Sequence, residues 1–121
     1  MSWGKHISQV EEPFHLLYWT LLWVIGPYGN APIDCFLEKI LGPEGGLGGD
    51  PGWEIDHLPE QDSEGSYRVW ADFDVSGIEP AEKIYSAKIF RQAIRESLIF
   101  FGEAYPEKMS EVVEVIKRYG L

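Results

Sequence analysis

Cysteine is almost missing from this chain, and so is any surplus of positive charge. The lone Cys35, between Asp34 and Phe36, leaves no internal disulfide and points to a reducing compartment, with the cytoplasm as the default. No base or paired histidine lies beside it in sequence, so the thiol reads as an inert packed group rather than a nucleophile. Ten Lys and Arg stand against twenty Asp and Glu, a formal charge of −10. The basic footprint that a nucleic-acid duplex demands is therefore lacking, and direct binding to nucleic acid is not expected. Nor is there an apolar run near the roughly 20 residues needed to span a bilayer. The longest candidate, Phe14 to Ile25, is broken by His15 and Thr20 and preceded by Glu11-Glu12. No small-residue cleavage pattern follows it, so it reads as a buried helix rather than a leader or a span. Internal repeats and heptad runs are missing as well.

What remains suits one globular domain over residues 1–121. With 45% hydrophobic and 14% aromatic residues the chain is far from a disordered acidic tail. At this length folding buries roughly 65% of the surface that the unfolded chain exposes. The negative charge must then sit on a folded surface.

Local signals divide the chain. Pro13 suits the first turn of the Phe14–Ile25 helix and Gly26-Pro27 ends it. Asn30 and Pro32 open a second helix with Ile33, Phe36, Leu37 and Ile40 on one side, stopped at Gly42-Pro43. From Gly42 to Gly52 the glycine and proline content predicts a surface loop without helix or strand. Trp53 to His57 alternates as a strand. Tyr67 to Val75 alternates more clearly, with Tyr67, Val69, Ala71, Phe73 and Val75 on one face and Arg68, Trp70, Asp72 and Asp74 on the other. A polar connection from Pro59 to Ser66 makes the two an antiparallel pair, which needs a helix against its apolar side. Ser86 caps that helix, whose stripe is Phe90, Ile94, Leu98 and Phe101. Pro106 then opens a last helix with Met109, Val112, Val113, Ile116 and Tyr119 inward and Gly120 as its stop. The expected fold is α+β, about four helices packed with a short antiparallel strand pair.

The charge is concentrated in the middle of the chain. Ten acids and one base, Arg68, fall between Asp50 and Glu82, whereas the remainder carries ten acids and nine bases. Like charges gathered on a sheet face repel one another and oppose compaction, so a role beyond folding is expected of them. A concentrated negative field speeds encounter with a cationic partner by roughly 10 to 10³-fold, and an aromatic anchor adds affinity. Glu54, Asp56, Glu64, Trp70, Asp72 and Asp74 are the expected partner-binding residues.

Other motifs carry less. Gly45 to Gly49 lacks the Lys-Ser/Thr of a phosphate loop, and Glu44 and Asp50 would repel a phosphate. Asp62 and Glu64 before Gly65 lack the spacing of a calcium loop. His6, His15 and His57 share no zinc-ligand spacing, so no metal or cofactor is expected. Two rival readings stay open: a small enzyme using His57 with nearby carboxylates, and an adaptor binding through exposed aromatics.

The stretch Tyr67-Arg68-Val69-Trp70-Ala71-Asp72-Phe73-Asp74, the Phe90–Phe101 helix and Ala104-Tyr105-Pro106-Glu107 resemble the small immunity proteins of bacterial polymorphic-toxin systems, including those of contact-dependent growth inhibition. The resemblance covers about the C-terminal half. It implies a cytoplasmic, non-enzymatic protein that binds and neutralises one cognate toxin domain, often a nuclease, and the charge distribution adds that this domain is basic. The family transfers no site residue, and the acidic face rests on the charge distribution alone.

Overall fold

The computed structural model describes residues 10–25, 32–42, 46–49, 52–58 and 65–121. Among them the architecture is α+β. Five helices (α1 His15–Ile25, α2 Leu37–Leu41, α3 Phe73–Ser76, α4 Ala87–Ala104 and α5 Met109–Tyr119) accompany four strands (β1 Gly46–Gly49, β2 Trp53–Leu58, β3 Ser66–Ala71 and β4 Glu82–Ser86). The strands form one antiparallel sheet in the order β1-β2-β3-β4.

One face of this sheet is covered. Ile55, Val69 and Ala71 are fully buried there, with Trp53, Tyr67 and Tyr85 nearly so. α1 and α4 pack on each other and on β3, and α5 packs on α4. α1 is apolar on almost every side, as a helix between a sheet and other helices must be. α4 is amphipathic, and its stripe of Phe90, Ile94, Leu98 and Phe101 is buried as the three- and four-residue spacing predicts. The Ser86 hydroxyl accepts a hydrogen bond from the Ile89 N–H at 3.2 Å, the cap expected of it. The Phe90 ring meets the Tyr67 ring edge-on, with centroids 3.9 Å apart, joining helix to sheet.

Several expectations are corrected. The Gly42–Gly52 segment is not wholly a loop, since Gly46 to Gly49 pairs along β2 from Gly46 opposite Asp56 to Gly49 opposite Trp53. Propensity opposes such a strand, but close approach favours bare backbone. A Cβ on Gly46 would lie 2.9 Å from the Ile55 carbonyl oxygen, and one on Gly49 3.1 Å from the Trp53 ring. The strand expected through Val75 stops at Ala71. Asp72 turns the chain by capping α3, its carboxylate accepting from the Asp74 N–H at 3.0 Å, and Gly77 closes that helix at φ 68°. Phe73 and Val75 are consequently exposed, 46% and 45%, instead of facing the core. β4 has no counterpart in the expected fold, and together with β1 it makes the sheet twice as wide as a strand pair. α2 is a single short helix reached through turns at 33–36, while Asn30 lies outside the described residues. In α5 it is Val115, not Val113, that is buried beside Val112.

The last helix is also tied to the segment before α2. Asp34, 6% exposed, accepts hydrogen bonds from the Arg118 guanidinium at 2.6 Å and the Tyr119 hydroxyl at 2.8 Å. The Glu111 carboxylate accepts from the Ile33 N–H at 2.8 Å. These contacts compensate the burial of the carboxylate. Burial and the Asp34 hydrogen bond together push the Tyr119 hydroxyl up to about 12.

Candidate functional site

Because side chains alternate along a strand, the residues opposite the covered face of β2, β3 and β4 share one outer face. The register places them in two lateral rows. Glu54, Trp70 and Glu82 lie in one, Asp56, Arg68 and Ile84 in the other. Arg68 joins the rows. Its Nη1 donates to Glu82 Oε1 at 2.6 Å, its Nε to Asp56 Oδ2 at 3.1 Å, and its Nη2 to both Glu54 Oε1 and Asp56 Oδ2. Hydrogen bonds to Asp56 and Glu82, then Glu54, hold the guanidinium well above its ordinary pKa. Arg68 is permanently charged here, as arginine is in proteins generally.

The balance is uneven. One guanidinium, 22% exposed, meets three carboxylates whose side chains are 43–56% exposed. Each carboxylate spends one oxygen on Arg68 and leaves the other without a hydrogen-bond partner among the described residues. Among the described residues, this leaves two negative charges over in the middle of the face. Trp70 sits half-buried between Glu54 and Glu82 in the row, and Ile84 is 50% exposed beside Arg68. The result is a solvent-facing array of anionic and apolar groups on a rigid element. It can receive a cationic surface with an apolar centre.

Of the six expected binding residues, Glu54, Asp56 and Trp70 come together on this face. Asp72 and Asp74 do not share it by strand alternation, because Asp72 caps α3 and Asp74 lies within that helix. Glu64 lies outside the described residues. Glu82 and Ile84 were missed, and the signal that could have found them is the short alternation of Glu82-Lys83-Ile84-Tyr85, whose even positions face outward. The rival pairing of His57 with Asp56 meets a geometric obstacle. Consecutive strand residues point to opposite faces, and the His57 ring lies edge-on to Tyr67 on the helix-covered side, centroids 4.7 Å apart.

Elsewhere the surface offers a groove of about 210 Å³ lined by Val10, Phe14, Tyr18, Ile89, Gln92 and Glu96. At its wall the Tyr18 hydroxyl donates to Glu96 Oε2 at 3.2 Å. Burial first, then the Glu96 charge, pushes that hydroxyl up to about 12. Among the described residues no group of three or more His, Cys, Asp or Glu is arranged to hold a metal ion, and no helix is long and apolar enough to cross a membrane. No family model, curated protein or solved structure matches the chain.

Proposed function

We propose that the protein is a stoichiometric inhibitor of the immunity kind, which binds a cognate bacterial toxin domain through the outer face of its sheet and neutralises it without catalysing a reaction. The supporting observation is the surplus of carboxylate over guanidinium around Arg68, set beside Trp70 and Ile84 on a rigid sheet. A toxin that acts on nucleic acid carries a basic surface, since phosphates must bind there. Carboxylates on this face occupy that surface in place of phosphates, and the apolar pair supplies the anchor that charge alone does not. Such a partnership belongs in the cytoplasm of the producing cell.

The test starts with a search of the adjacent coding region for a larger chain that carries a toxin domain. Its association with the wild-type protein and with a Glu54→Gln/Glu82→Gln double variant is followed at low and high salt. Association of the variant is expected to slow by about tenfold at low salt, with the gap closing as salt screens the field. Identical rates for both proteins at both salt concentrations would remove the outer face from the reading.

The exposed Phe73 and Val75 on α3 favour a second reading, an adaptor that docks a partner through apolar groups. Binding indifferent to salt and lost on Phe73→Ser would select it.

A further inference from the structure

Two features of the outer face leave recognition capacity unspent among the described residues. The ring of Trp70 makes no aromatic contact and no hydrogen bond with any described residue, although it lies between two carboxylates in its row. Among the described residues, the three carboxylates around Arg68 each keep one oxygen without a hydrogen-bond partner. Residual negative charge and a partly exposed indole in one place match a planar cation. A guanidinium stacks on an indole face while its N–H groups point outward in the ring plane to carboxylates at either side. An ammonium is a compact point charge that satisfies the field without using the ring plane. Arg68 itself cannot take this position, because its own three donor nitrogens are engaged with Glu54, Asp56 and Glu82.

We infer that the outer face is an arginine receptor: a side chain of the partner protein lays its guanidinium on Trp70 between Glu54 and Glu82, and Arg68 is the positioning residue that holds those carboxylates in place. The inference rests on the proposed reading of the face as the toxin-binding surface. It names the residue type that the partner must present. It also reverses a simple charge argument. Removing Arg68 makes the face more negative, yet releases the carboxylates to repel one another and to swing apart, so arginine recognition weakens.

The probes are oligoarginine and oligolysine peptides of equal length, titrated into the full chain while the Trp70 indole N–H resonance and the affinity are followed. Oligoarginine is expected to bind about tenfold more tightly than oligolysine, the size of a favourable cation–π contact, and to shift the Trp70 resonance. Trp70→Leu and Arg68→Gln are expected to abolish the preference, while Trp70→Phe retains part of it. Arg68→Lys keeps the charge but loses the fork, and is expected to behave like Arg68→Gln in selectivity. Equal affinity for the two peptides in the wild-type protein would overturn the arginine receptor while leaving an acidic binding face. If Arg68→Gln sharpened the preference, the positioning role would fall. Unchanged affinity for both peptides in Glu54→Gln/Glu82→Gln would discard the face itself.

Discussion

Ile55 and Glu54 are adjacent on β2, yet the first is fully buried and the second has a half-exposed side chain. β3 and β4 repeat that contrast, whereas the glycine-rich β1 does not. Inward residues meet α1 and α4 and remove apolar area from water, which is the main favourable contribution to folding. Outward residues do little of this. Arg68 offsets part of the repulsion among Glu54, Asp56 and Glu82, but exposed ion pairs contribute little net stability. The inner face accounts for why the chain folds, and the outer face for what the folded chain presents.

The contrast is easiest to break from the inside. Phe90→Ala removes a fully buried ring at the junction of α4 and β3, and is expected to cost about 3–5 kcal/mol in urea unfolding. The folded fraction should still bind its partner at the wild-type rate. The same packing is read by pH without a mutation. Burial keeps the Tyr18 and Tyr85 hydroxyls protonated up to about 12, against an ordinary 10.0. The folded state thus holds protons that the unfolded chain releases, so this stability is complete below pH 10 and is lost as pH rises through 12. Circular dichroism followed alongside tyrosinate absorbance checks it, and a transition finished by pH 9 would contradict it.

Asp34→Ala is expected to cost less, about 1–2 kcal/mol, because it removes two hydrogen bonds but leaves Arg118 half-exposed and able to rehydrate. Ser86→Ala, which removes the α4 cap, is expected to cost about 1 kcal/mol. Smallest of all should be Glu54→Gln/Glu82→Gln, within about 0.5 kcal/mol of wild type in thermal unfolding. A large stability change there would blur the division between the faces.

Much of the inner face was legible in advance. α1, α4 and α5 announced themselves by Pro13, Ser86, Pro106 and Gly120 at their ends and by apolar spacing between. β2 and the first half of β3 showed a period of two. The rest depended on pairing that no local window contains. β1 is three glycines and a leucine, and becomes a strand because β2 offers it a ladder. Tyr67-Arg68-Val69-Trp70-Ala71-Asp72-Phe73-Asp74-Val75 alternates to its end, but the capping carboxylate of Asp72 and the left-handed Gly77 prevail over the pattern. For the candidate site, the acidic excess around Arg68 was plain in the composition, whereas its partners were not. Glu54 and Glu82 reach Arg68 diagonally from neighbouring strands, 14 residues away on either side, and only the register brings them there.

The pairing of Asp34 with Arg118 and Tyr119 has a consequence for synthesis. More than eighty residues separate these partners, so a ribosome has translated almost all of α5 before the carboxylate can meet its cation. The α2 segment therefore stays untied on the nascent chain until α5 has emerged.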